Sequence, residues 1–345
     1  MIRQIARRIG ILLVLSLGIS LPAHAASKPV MVGYFPAFKG LARIATTPID
    51  HYTHINLAFA NPDANGLLAR DGAMTCMSGG TAGNATLTEL RDAAATLRRK
   101  GAKVLLSVAG GVIPGCSGDW AALLRPDKRE TVKRELLAIV DAAGLDGIDI
   151  DIEGALLTAI DREGNYTPFI AMLSTDLKAK GKLLTVATAS YEGGMIPRSS
   201  VRYFDLVMPM SYDAIGPGWG QAGSEHSTEV QAARDIALWL DRGVPRDRLV
   251  LGVPFYGYGF GKYAPGYDFR TLLATFGNAV LNADLIGNAC AGCDYITFNA
   301  PETLRRKSAL AKARAGGVMV WEMTQDTDDQ QLGSVISGVL YASSN

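Results

Sequence analysis

Between residues 147 and 153 the chain alternates strictly, with Ile148, Ile150 and Ile152 on one parity and Asp149, Asp151 and Glu153 on the other. A period of two marks a β-strand, whose side chains at i, i+2 and i+4 share a face, so three acids stand in a row behind three isoleucines. Short apolar runs recur along the chain, at 30–35, 53–60, 103–108, 147–153, 183–188, 204–211, 249–255 and 317–321, and predict eight strands. Amphipathic stretches at 86–100, 128–143, 168–180, 228–242, 301–315 and 329–341 predict helices between most of them. Lysines and arginines fall late in several of these stretches, where the helix dipole favours cations.

Strands that alternate with helices build a parallel sheet. Eight of them predict an α/β fold, a (β/α)8 TIM barrel in a single domain. An open doubly wound sheet is the competing arrangement, but no GxGxxG or P-loop pattern follows the first strand. In a barrel the catalytic groups gather at the C-terminal ends of the strands, which is where Glu153 ends the fourth run. Residues 257–300 exceed an ordinary strand-to-helix loop and carry Gly, Pro and two cysteines. They predict a short, compact excursion between the seventh strand and its helix.

The strands of a barrel are covered on both faces, so the acidic row points into an interior. Carboxylates ~6–7 Å apart along one strand cannot all ionise freely there, and at least one holds a proton near neutral pH. A protonated carboxyl at working pH is what general acid catalysis needs. An acidic edge strand or a Ca²⁺ site would use the same residue types. Four acids counting Asp146, with Gly147 among them and no His or Cys close by, point instead to acid–base chemistry with no metal and no cofactor.

Composition changes the picture in three ways. Arg3, Arg7 and Arg8 precede an apolar run too short to span a bilayer comfortably and then Ala23-His24-Ala25, which predicts a secretory leader over 1–25 and a mature domain over 26–345. The formal charge of +1 includes those three arginines, so the mature chain stands at −2, which argues against nucleic acid or a membrane surface as partner and favours a neutral substrate. The four cysteines of a secreted or periplasmic protein favour disulfides. Cys290 and Cys293 form a local staple, leaving Cys76 for Cys116 in loops after consecutive strands, though four cysteines allow three pairings and the sequence does not choose. His51, His54 and His226 show no ligand spacing and are expected to be satisfied structural residues.

The strand Asp146-Gly147-Ile148-Asp149-Ile150-Asp151-Ile152-Glu153 resembles the DGxDxDxE hallmark of glycoside hydrolase family 18, the chitinase family. Ser107-Val108-Ala109-Gly110-Gly111 is similar to its SxGG signature, with alanine where the first glycine is usual, Met210-Ser211-Tyr212-Asp213 matches MxYD, and Trp321 supplies the aromatic that ends the eighth strand. The matches run in order over nearly the whole mature chain.

The resemblance implies an endo-acting chitinase: retaining, substrate-assisted hydrolysis of β-1,4 linkages between N-acetylglucosamine units, an exception to the two-carboxylate scheme. It implies Glu153 as acid and base, Asp151 as the group that holds the acetamide N–H, Asp149 as its proton-sharing neighbour, and Tyr212 as donor to the acetamido oxygen. Asp213 would bond the sugar, Trp321 would floor the site and Met210 would line it. Tyr34 and Phe59, near the ends of the first two strands, are either site lining or core, and Trp219 is a candidate sugar-stacking aromatic. The excursion is shorter than the α+β insertion of deep-cleft members, which implies a shallower groove. The competing activities are an endo-β-N-acetylglucosaminidase acting on N-glycans or peptidoglycan, and a non-catalytic chitin-binding lectin, which would usually lack Glu153. A monomer is expected.

Overall fold

The computed structural model describes residues 28–343, so the leader expected over 1–25 lies outside the described residues. Eight strands form the barrel: β1 (Val30–Pro36), β2 (His54–Ala60), β3 (Lys103–Ala109), β4 (Gly147–Asp151), β5 (Leu183–Thr188), β6 (Leu206–Pro209), β7 (Val250–Pro254) and β8 (Gly317–Trp321). All pair in parallel, in the order β7-β8-β1-β2-β3-β4-β5-β6. A single bridge, Val207 to Leu249, brings β6 back to β7 and all but closes the ring.

The strand period sorts the side chains. Ile148 and Ile150 face outward into the core between sheet and helices, together with Leu106, Val108 and Val186. The interior holds Val32, Tyr34, Met208, Val250 and Met319. Helix period does the same around the ring. The helix Leu87–Arg99 buries Leu90, Ala93, Ala94 and Leu97, one stripe at spacings of three and four, and starts on a capping box between Thr86 and Glu89. The helix Arg129–Ala143 stops at Gly144, whose φ of 64° supplies the left-handed cap that turns the chain back into β4.

Two regions depart from the sequence expectation. After β2 the chain makes an antiparallel sheet from Ala69–Arg70, Ala73–Gly80 and Gly83–Thr86, which the Gly-rich sequence conceals as loop. The excursion after β7 lies where the sequence places it, and it carries elements that the sequence does not predict. Tyr256–Phe260, Tyr267–Asp268, Leu285–Gly287 and Tyr295–Thr297 form a four-stranded antiparallel sheet, with the helices Phe269–Phe276 and Ala279–Asn282 beside it. Strands of two to five residues broken by glycine leave too little periodicity to read. Of the three possible pairings, the structure has Cys76–Cys116, with Cα atoms 5.5 Å apart, and Cys290–Cys293. The first bond ties the sheet after β2 to the loop after β3. Among the described residues no helix is long and apolar enough to cross a membrane.

Candidate active site

Strand β4 can carry its acids only because it starts on glycine. A Cβ at Gly147 would lie 2.1 Å from the Leu183 carbonyl oxygen of β5, so only glycine lets the two strands meet at that level. The register that follows sets Ser107, Asp149 and Thr185 side by side across β3, β4 and β5. Asp149 is fully buried and collects three hydroxyl donors: Tyr34 and Ser107 reach Oδ2 at 2.7 Å each, and Thr185 reaches Oδ1 at 2.6 Å. Burial raises its pKa, while the three donors oppose the shift.

Asp151, one turn of the pleat further on, lives differently. It is 3% exposed and its Oδ1 has no partner. Burial, then the charges of Glu153 and Asp149, push its pKa well above the ordinary carboxylate range. Glu153 follows the strand, immediately before the helix Gly154–Arg162. Burial, and then the Asp213 carboxylate, raise it to about 7. Its space is reserved by Gly111, where a Cβ would come within 2.9 Å of Glu153 Oε1.

The opposite wall comes from the exit of β6. Tyr212 is buried, and its hydroxyl finds only the Met319 Sδ at 3.9 Å, so it keeps a proton for a ligand. Asp213 sits at φ 59°, a left-handed turn that asparagine and aspartate tolerate better than most residues. Tyr256 donates its hydroxyl to Asp213 Oδ1, and Trp219 donates its indole N–H to the Asp213 carbonyl at 3.2 Å. Trp219 also stands edge-on to Tyr258, with ring centroids 5.5 Å apart, and remains 49% exposed.

One cavity of about 580 Å³ brings the two walls together. Asp151, Glu153, Met210, Tyr212, Asp213 and Trp321 line it, and Tyr34 and Phe59 do too, so these aromatics are site lining as well as packing. Trp321 stacks on Phe59 at 5.6 Å and leans on Tyr34 at 5.5 Å. Asp149 lies beneath, touching the site through its neighbours. Trp219 is outside the cavity wall and is tied to it only through Asp213.

His51 and His54 are satisfied as expected, the first by Ser334 and Ser337 and the second by Thr53. His226 is not. It is fully buried with both ring nitrogens lacking a hydrogen bond, and its Nδ1 lies 3.7 Å from Asp213 Oδ1. Burial lowers its pKa, so it meets Asp213 as a neutral ring. The sequence assigns no role to Thr185 or Tyr256, and gives Gly111 only a place in the SxGG signature. Thr185 is findable, since it is a polar residue in the middle of a strand that is apolar up to its last position, Thr188.

A family model of glycosyl hydrolases family 18 matches residues 30–326. Probable chitinase 10 of Drosophila melanogaster is 24% identical over 298 residues, covering 71% of this chain and 13% of that protein. Chitinase A1 of Niallia circulans is 25% identical over 411 residues, covering 88% of this chain and 57% of its own. The chain therefore spans less than two thirds of the length of either relative. Among solved structures, the GH18 chitinase ChiB of Flavobacterium johnsoniae is similar with a TM-score of 0.75 at 29% identity, covering 91% of this chain and 94% of that one. An acid row on the fourth strand of a parallel barrel, facing tyrosine and aspartate from the sixth, accords with a family match over nearly every described residue: the chain belongs to glycosyl hydrolases family 18.

Proposed function

We propose that this glycoside hydrolase cleaves β-1,4 linkages between N-acetylglucosamine units of chitin or chitooligosaccharides, acting within chains and with retention at the anomeric carbon. The observation that carries the reading is the pairing, in one cavity, of Glu153 with a pKa raised to about 7 and Asp151 with an unpartnered oxygen. Glu153 gives its proton to the glycosidic oxygen as the bond to the anomeric carbon breaks. The substrate's acetamido oxygen attacks that carbon and forms an oxazolinium ion. Asp151 accepts the acetamide N–H and shares its proton with Asp149 below it, so that the pair carries the negative charge that balances the cation. The Tyr212 hydroxyl donates to the acetamido oxygen. Water then opens the ring, with its proton passing to Glu153, so the carboxyl ends as it began. Asp213 bonds the sugar, Trp321 and Met210 form the apolar floor and wall, and Trp219 offers a stacking face beyond the cavity.

Two disulfides support an exported enzyme, with residues 26–345 as its catalytic unit after removal of the leader. The chitinase names of the relatives point to the same substrate. The test is hydrolysis of soluble chitotetraose by wild type and Glu153→Gln, with the anomer of the fresh product followed by NMR. Wild type should release β-anomer, and the variant should lose about 10³-fold in turnover while still binding the sugar, because the amide keeps the shape and lacks the proton. Wild-type turnover in the variant, or α-anomer as first product, would reject the mechanism. Exclusive release of disaccharide from chain ends would reject the endo assignment.

A further inference from the structure

Strand β6 delivers Tyr212 and Asp213 to the cavity, yet on its far side it is joined to β7 by one bridge alone. A buried polar cluster holds its exit. Ser227 Oγ donates to the Ser211 carbonyl at 2.7 Å, and the Ala214 N–H donates to the His226 carbonyl at 3.0 Å, so residues 211–214 are strapped to residues 226–227. Under that strap lies Lys307, fully buried on the helix Pro301–Arg314. Its Nζ donates to the Ser227 carbonyl at 3.0 Å, to Ser227 Oγ at 2.7 Å and to Asn299 Oδ1 at 2.7 Å. Asn299 Nδ2 returns to the Ser227 carbonyl at 2.7 Å.

The polarity of these bonds is forced. An ammonium has three protons and no lone pair, so Ser227 Oγ must accept from Lys307 and its own proton must go elsewhere, to the Ser211 carbonyl. An apolar group at 307 would free the hydroxyl to turn. A buried cation whose contacts are three neutral oxygens is costly where methionine would fill the space, which suggests a role beyond packing. We propose that Lys307 is a positioning residue: through Ser227 its ammonium fixes residues 211–213, and with them the Tyr212 hydroxyl and the Asp213 carboxylate that meet the substrate. The inference rests on the chitinase reading above.

Burial lowers the Lys307 pKa to about 7, against the pull of carboxylates from each neighbouring element. Those are Asp284 in the excursion, Glu225 in the loop after β6, and Glu229 and Asp235 on the helix Glu229–Asp241; Glu229 is also paired with Arg306 and Asp235 with Arg234. His226, between Ser227 and Asp213, is neutral. Above that pH the amine gains a lone pair, can accept the Ser227 proton and releases the Ser211 carbonyl. The clamp is therefore present below about pH 7 and lost above it.

The experiment measures kcat and KM on chitotetraose from about pH 6 to about pH 8.5 for wild type, Lys307→Met and Ser227→Ala. At the lower pH each variant should lose about fivefold in kcat with little change in KM, the worth of one ordinary hydrogen bond. The ratio of wild type to variant should then shrink towards one as pH rises, whatever Glu153 does, because the wild type loses its own clamp. Ser227→Ala keeps the lysine and decides the matter if Lys307→Met does not fold. A ratio independent of pH, or variants as fast as wild type, would overturn the role of Lys307 and leave the chitinase reading standing. A wild type inert towards chitotetraose would sink that reading and this role with it.

Discussion

The two walls of the cavity are held in place by different physics. The wall with Asp149 and Asp151 belongs to a run of strands, β3 to β5, paired residue by residue from Leu105–Gly147 to Ile150–Val186. Its acids are placed by backbone ladders, and the side chains only tune their charge. The wall with Tyr212 and Asp213 leaves the ladder at Pro209, beside the single-bridge seam, and is placed by side chains: Ser227, Asn299 and Lys307 below, Tyr256 and Trp219 beside. A backbone ladder is rigid and insensitive to pH, whereas a clamp of hydroxyl, amide and ammonium can be unlocked by one proton. Asp149 and Asp151 thus sit on the fixed wall, with Glu153 two residues past its end, and Tyr212 and Asp213, the groups proposed to hold the acetamide oxygen and the sugar, sit on the adjustable one.

The severest way to break the fixed wall is Gly147→Ala. Its Cβ would meet backbone at 2.1 Å, which no rotamer change relieves, so β4 or β5 must move. We expect a loss of about 3 kcal/mol in stability, together with most of the activity, since the acids move with the strand. Thermal denaturation and turnover measured on the same preparation check this. Unchanged melting would mean that the ladder is looser than its geometry requires. Ser227→Ala, by contrast, should cost about 1–2 kcal/mol for the buried groups left short of a partner and lower kcat only about fivefold, and the two variants together sharpen the distinction between walls.

The next effect concerns charge. The Glu153 pKa is about 7 in the fold, above the ordinary carboxyl value of roughly 4.3 in an unfolded chain. Below the lower value both states hold the proton and nothing is gained or lost. Between the two, the unfolded chain releases a proton that the fold retains, so stability declines as pH rises, and the full penalty is present above about 7. Glu153→Gln carries no such penalty. It should be more stable than wild type by up to about 4 kcal/mol near pH 8 and indistinguishable from it near pH 4. Equal Tm values at both pH values would show that burial does not hold the Glu153 proton.

The fixed wall is also the legible one. Alternation from Ile148 to Glu153 announces a strand, and the expense of burying its acids announces chemistry, so both the barrel and the acid row follow from the sequence. The adjustable wall is legible only in part. Tyr212 and Asp213 stand in a recognisable motif, but Lys307 lies within Arg305-Arg306-Lys307 on an amphipathic helix, where a lysine reads as surface charge. Its burial shows only in its partners, Ser227 in the loop after β6 and Asn299 at the end of the excursion, two stretches with strands too short to show a period. His226 is hidden for the same reason. The number of cysteines says that two bonds can form, and only the approach of the sheet after β2 to the loop after β3 selects Cys76–Cys116.

The smallest effect we expect comes from Ala109, where the chain has alanine at φ +74°, just as it leaves β3 beside Asp151. Left-handed backbone costs an alanine about 1 kcal/mol, and glycine would avoid that cost while losing more freedom on folding, so the two nearly cancel. What permits alanine here is the strength of the fixed wall. Asn61 Nδ2 donates to the Ala109 carbonyl at 3.2 Å, and the Gly110 N–H donates to the Asp151 carbonyl at 3.0 Å, so the turn is held from both sides without glycine's help. Gly110 itself, at φ +96° with the Phe59 ring where a Cβ would lie, has no such latitude. Ala109→Gly should therefore raise stability by no more than about 0.5 kcal/mol and leave turnover unchanged. A clear fall in Tm would mean that the Ala109 methyl, which lines the cavity wall, contributes more by packing than its backbone costs in strain.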